Sequence, residues 1–194
     1  MGLDGGENLF IMGEITKPIT WNLDNAGTLT IYGEGEIPRH AEWCEQKEMI
    51  KNIVIKTGIT SIENAAFLDY KHLISIAIPN SVKCIGSAAF SGCTSLISIT
   101  IPDSITIIAD FVFSKCKSLR AIIIPTYVTN IGTSAFALCE KLDSITIYNT
   151  VPLDIDSSVF EYVNKNFCTL KVPMDSISDY QNADVWKEFN VLGI

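Results

Sequence analysis

The sequence predicts a solenoid, a stack of short coils sharing one core, and three observations carry that reading. The first is a period: Phe67, Phe90, Phe113 and Phe136 stand 23 residues apart, as do Leu73, Leu96, Leu119 and Leu142. Three isoleucine columns keep the same step: Ile62, Ile85, Ile108 and Ile131; Ile76, Ile99, Ile122 and Ile145; Ile78, Ile101, Ile124 and Ile147. The second is size, because a unit of 23 residues cannot enclose a core alone and must bury its apolar face against its neighbours. The third is composition: with 47% hydrophobic and 19% charged residues the chain is the opposite of a disordered one.

Each element of the coil follows from its residues. The I-x-I segment alternates and is β-branched, which predicts a short strand with two side chains inward and one outward; stacking aligns these strands into a parallel sheet. Pro79, Pro102 and Pro125 cannot donate to the ladder and so end the strand, with Tyr148 at the fourth such position. Asn80, Asp103, Thr126 and Asn149 come next and suit a turn. Ala66, Ala89, Val112 and Ala135 precede the phenylalanines. The spacings of three through A-F-x-x-C-x-x-L predict a helical or 3₁₀ turn on the opposite wall.

The copies IENAAFLDYKHLISIAIPNSV, IGSAAFSGCTSLISITIPDSI and IGTSAFALCEKLDSITIYNTV resemble the BspA-like leucine-rich repeat family, whose signature is I-G-x-x-A-F-x-x-C-x-x-L-x-x-I-x-I-P. The match is strongest from Thr57 to Tyr148. It departs at Tyr70, where the cysteine is missing, at Glu63 and Ala109 in place of glycine, and at Tyr148. The resemblance implies a leucine-rich-repeat-type solenoid of right-handed coils. It also implies a bacterial cell-surface or secreted protein that binds other macromolecules, with host extracellular matrix or bacterial surface proteins as the ligand class.

The ends read as caps. Trp21, Leu23, Leu29 and Ile31 alternate around Asp24-Asn25-Ala26-Gly27, which predicts a β-hairpin over the first coil. Ile50, Ile53 and Ile55 fall in register with Leu73, Ile76 and Ile78, making Trp43 to Lys56 a degenerate repeat. Beyond the last regular copy, Ile155, Phe160, Leu170 and Val172 continue the pattern and Pro173 closes it. Ser176 then suits the N-cap of a short helix carrying Ile177 and Tyr180, followed by a turn with Trp186 and Phe189. The resulting division is a leader at 1–18, a hairpin cap and degenerate repeat at 19–56, four 23-residue repeats at 57–148, and a degenerate repeat with a helical cap at 149–194. The leader lacks the basic and apolar regions of a secretory signal.

Charge and motifs narrow the function. Acidic residues outnumber basic ones, 22 to 14, which disfavours a nucleic-acid ligand. Residues 57–148 are neutral, and the segments on either side carry −4 each. No stretch reaches the roughly 18 uninterrupted apolar residues of a membrane span. Cys93, Cys116 and Cys139 keep the 23-residue step and read as buried thiols; no C-x-x-C or histidine spacing supports a metal. Cys84 shares a column with Ser61, Ile107 and Asn130, and Cys44 and Cys168 lie too many coils apart to pair. His40 and His72 form no catalytic pattern, and Glu34 and Glu36 read as an acidic turn rather than a carboxylate pair. No catalytic residue, cofactor or metal is expected. The candidate site is instead the outward stripe of the sheet: Ser75, Ala77, Ser98, Thr100, Ala121, Ile123, Ser144 and Thr146. It is small, rich in hydroxyls and without aromatics, which disfavours carbohydrate and suits an extended peptide or a protein face. The other reading of the stripe is the solvated side of a structural spacer.

Overall fold

The computed structural model describes residues 18–194; the leader assigned to 1–18 lies outside them but for Pro18. A hairpin, β1 (Thr20–Leu23) and β2 (Thr28–Tyr32), opens the fold and is followed by β3 (Gly35–Ile37). A 3₁₀ turn at Glu42–Gln46 leads to β4 (Asn52–Ile55) and β5 (Ile59–Ile62). The regular coils place two strands each: β6 (Ser75–Ala77) and β7 (Cys84–Ile85), β8 (Ser98–Ile99) and β9 (Ile107–Ile108), β10 (Ala121–Ile124) and β11 (Asn130–Ile131). Then come β12 (Ser144–Ile147), a 3₁₀ turn at Ser157–Phe160 and β13 (Thr169–Val172). A 3₁₀ turn at Met174–Ser176, the helix α1 (Ile177–Asn182), another 3₁₀ turn at Trp186–Glu188 and β14 (Asn190–Gly193) complete the chain.

The main wall is a nine-stranded sheet in the order β1-β2-β4-β6-β8-β10-β12-β13-β14, parallel except for the hairpin. Its register repeats the sequence period: Ile53 lies beside Ile76, Ile76 beside Ile99, and Ile122 beside Ile145. All five are buried, with Leu29 and Ile31 of the hairpin below them and Leu170 above. A second wall holds β3-β5-β7 and, separately, β11-β9.

The third wall meets the expectation of a helical or 3₁₀ turn in its 3₁₀ form at Ser157–Phe160 and modifies it in the regular coils. The stretches around the phenylalanines are successive turns in which amide partners alternate. Ala89 and Ser91 donate three residues back, to Gly86 and Ala88. Ala88, Phe90 and Gly92 instead donate to Asp110, Val112 and Ser114 of the next coil, at 2.9, 2.9 and 2.8 Å. Aiming every second N–H sideways requires a left-handed backbone at two points per coil: Ala65, Ala88, Phe111 and Ser134, then Asp69, Gly92, Lys115 and Leu138. For a residue with a Cβ that conformation costs about 1–2 kcal/mol, whereas a buried N–H without a partner costs about 1–3 kcal/mol. The intercoil bonds therefore outweigh the local preference.

Inside, the rings of Phe67, Phe90, Phe113, Phe136 and Phe160 form one stack, with centroids 5.5, 5.7, 5.6 and 5.4 Å apart and planes within 17° of parallel. Edge-on aromatics close both ends: Tyr70 against Phe67, and Trp186 and Phe189 against Phe160. At the first coil, Trp21 and Trp43 meet edge to face at 6.2 Å. Trp186 also donates its indole N–H to the Leu153 carbonyl at 2.7 Å. The C-terminal cap differs from expectation in two respects. Ser176 precedes α1 but makes no side-chain cap bond, since a 3₁₀ turn already occupies that entry. The chain then returns as β14, a ninth sheet strand pairing Leu170 with Val191. Its sequence Asn-Val-Leu-Gly is too short to announce a strand by alternation.

Candidate binding face

The eight stripe residues lie on one side of the nine-stranded sheet. Alternation turns them away from the core: in β10, Ala121 and Ile123 are exposed while Ile122 and Ile124 are buried. Ala77, Ser98 and Thr100 are likewise exposed, and Ser75, Ser144 and Thr146 are half-buried. The register brings Ser75 beside Ser98, Ser98 beside Ala121, Ala121 beside Ser144, and Ile123 beside Thr146. Across coils, Ser75 donates its hydroxyl to Asn52 Oδ1 at 2.8 Å, so part of its hydrogen-bonding capacity is already used.

The same face extends beyond those eight residues. Thr28 and Thr30 pair with Asn52 and Val54 on one side, and Thr169 and Lys171 pair with Asn190 and Leu192 on the other. The sequence signal for these positions was the register of Ile53 and Leu170 with the inner columns, read for the core but not carried to the outward neighbours. Along one margin, Ile74 and Ile97 stack through an amide bond of 3.1 Å and are both exposed. Farther along, Arg120 approaches Asp143 at 3.8 Å. Tyr148, directly after β12, and Tyr127 are exposed where the sheet turns toward the second wall. The stripe itself has no aromatic, but Tyr32 lies exposed at the end of β2 on the same side as Thr28 and Thr30.

The remaining candidates resolve as structure. The thiols of Cys93, Cys116 and Cys139 are buried and donate to the carbonyls of Phe67, Phe90 and Phe113 at 3.3, 3.3 and 3.2 Å. Burial pushes Cys93 and Cys139 up to about 12 and moves Cys116 upward as well, so all three stay neutral. Tyr70, at the position the cysteine vacates, turns its hydroxyl toward Cys44 Sγ at 3.4 Å and ties the first regular coil to the cap. All six cysteines are unpaired, and Cys84 is exposed. His72 meets Glu48 at 3.2 Å with both side chains in solvent. Glu36 lies in β3, exposed and beside Ser61. Among the described residues no cluster of three His, Cys, Asp or Glu side chains could hold a metal ion, and no helix is long and apolar enough to cross a membrane.

Solved structures with the same fold come from several bacteria. A leucine-rich repeat protein of Eubacterium ventriosum aligns over 92% of this chain and 68% of its own, at 19% identity and a TM-score of 0.55. One from Bacteroides ovatus aligns over 79% of this chain at 26% identity and a TM-score of 0.52. The pneumococcal vaccine antigen PcpA aligns over 74% at 16% identity and a TM-score of 0.61. The chain spans only 48% and 41% of the last two proteins. No curated protein matches it significantly. The model of the BspA type leucine rich repeat region matches residues 40–180 in six copies. With the period, the stacked rings and the parallel wall, that match identifies the chain as a member of the BspA type leucine rich repeat family.

Proposed function

We propose that the chain is a non-enzymatic protein-interaction module of the bacterial cell surface or of a secreted protein. It binds a host extracellular matrix or bacterial surface protein in the manner of an adhesin. The observation that carries this reading is the continuous outward face of the nine-stranded sheet. Ser75, Ala77, Ser98, Thr100, Ala121, Ile123, Ser144 and Thr146 give it a nearly uncharged strip of small side chains. Such a strip desolvates at low cost, and it is too open to enclose a small molecule. Family membership and the bacterial fold neighbours, one of them a vaccine antigen, support the surface location.

The test is capture of purified matrix proteins and envelope proteins on the immobilised chain, with T100E/I123K beside it. A partner docking on the middle of the sheet loses about 1–3 kcal/mol of affinity when unpaired charge is buried there. Unchanged affinity in the folded double variant moves the contact off this face. A second reading, a structural spacer, draws on the same smallness of the strip. Capture of nothing across a range of salt and pH favours it.

A further inference from the structure

Between β3 and β11 the second wall is broken at one place. β5 bonds to β7 and β9 to β11, but β7 and β9 belong to separate sheets. On either side of the break the wall is closed in the same way: Lys83 donates to Thr60 and Gly86 to Ile62, at 2.7 and 2.9 Å. Thr129 donates to Thr106 and Gly132 to Ile108, at 2.8 and 2.7 Å. Among the described residues, the equivalent bonds from Thr106 to Lys83 and from Ala109 to Ile85 are missing, and what crosses there instead is the Ser104 hydroxyl, which donates to the Val82 carbonyl. The main wall thins at the same level. β8 shares only the Ser98–Ala121 pair with β10, whereas β10 and β12 share four pairs. An apolar crevice lined by Ile85, Ile101, Ile105, Ile108, Ala109 and Phe113 lies behind the break.

The residues give the reason. At both closed levels an Asx side chain clamps the next coil: Asn64 Oδ1 accepts from Ser87 N–H at 2.7 Å and Asp110 Oδ1 from Thr133 N–H at 2.8 Å. Opposite each clamp stands a glycine. A Cβ on Gly86 would lie 2.5 Å from the Asn64 backbone nitrogen, and one on Gly132 2.6 Å from that of Asp110. Between the Phe90 and Phe113 coils the pair is Ser87 and Ala109. It supplies neither the carboxamide or carboxylate nor the space. Glu63 still reaches Ile37 at 2.9 Å, but the layer beneath it is the cap rather than a coil. The turn wall at the broken level is intact, with all three bonds from Ala88, Phe90 and Gly92.

We propose that the solenoid is hinged between the Phe90 and Phe113 coils. The turn wall is the pivot, the second wall is the edge that opens, and the curvature of the main sheet changes at Ser98 and Ala121. The stack is two clamped pairs of coils joined by a seam, and the seam crosses the middle of the outward face. The hinge does not depend on that face binding anything.

Residue-resolved hydrogen exchange on the full chain tests it. Thr106 and Ala109 amides should exchange on the order of ten-fold or more faster than Thr129 and Gly132. S87N/A109G, which places the clamped pair at the seam, should bring them to the rates of Thr129 and Gly132. The reverse change N64S/G86A should speed exchange at Lys83 and at position 86. Equal protection of the two levels in the wild-type chain overturns the hinge. So does a folded S87N/A109G variant in which the amides of Thr106 and of position 109 keep the fast rates of the wild-type chain.

Discussion

The phenylalanine column and the outward stripe run the length of the same solenoid, at the same 23-residue step, and obey opposite rules. Inward, one residue type recurs, because each ring's neighbours above and below are again rings, and a smaller side chain leaves a hole that neither can fill. Outward, the positions wander from Ser98 through Ala121 to Ser144 and from Thr100 through Ile123 to Thr146. Water tolerates each of these equally. Periodic identity thus measures confinement: the tighter the gap between coils, the less the residue can vary.

The sharpest way to break the comparison is Phe113→Ala. The ring is buried between two others, and emptying it should cost about 3–5 kcal/mol, read as a fall in the denaturation midpoint. A loss below about 1 kcal/mol would mean that the column is not a core.

Gly132→Ala probes confinement of the backbone instead. The added Cβ meets the Asp110 backbone at the clamped level, and the strain should cost about 1–3 kcal/mol. Ala109→Gly at the seam relieves no such contact; it removes one half-buried methyl and loosens the unfolded chain, and should lower stability by about 1 kcal/mol.

The buried thiols extend the contrast to pH. Cys93 and Cys139 are pushed from an ordinary value near 9 to about 12. Between those values the unfolded chain loses protons that the folded chain keeps. Folding stability therefore falls as pH rises through that window, and is unaffected by these groups below it. Cys116→Ala should flatten the alkaline slope of a stability curve, since burial moves this thiol upward as well. A native protein whose three ladder thiols react rapidly with a thiol reagent at neutral pH would contradict their burial.

The smallest effect belongs to the face. T100E/I123K changes two exposed side chains and should shift stability by no more than about 0.5 kcal/mol. A melting curve displaced well beyond that would show the stripe to be part of the packing.

Much of this was legible without coordinates. A repeat of Phe, Leu and Ile at one spacing leaves a single economical solution, stacking, and the burial of Phe67, Leu73, Ile76 and their successors follows. The alternation of Trp21, Leu23, Leu29 and Ile31 determined the hairpin that covers the first coil, and the stripe was legible because a strand's faces alternate. What escaped was set by chain segments one coil apart. Nothing in the local propensity of Ala88, Phe111, Ser134 or Leu138 calls for a left-handed backbone; the carbonyl of the next coil does. Ser87 and Ala109 read as ordinary departures from a consensus, and their meaning emerges only when the Asx–Gly clamps of the neighbouring levels are seen beside them. β14 follows the same rule, its four residues becoming a strand because β13 offers them an open edge. The sequence by itself determined which side chains face the core, since that depends on period and hydrophobicity. The tertiary structure decided where the coils hold tightly and where they part, since that depends on hydrogen bonds and close approaches between segments a whole coil apart in the chain.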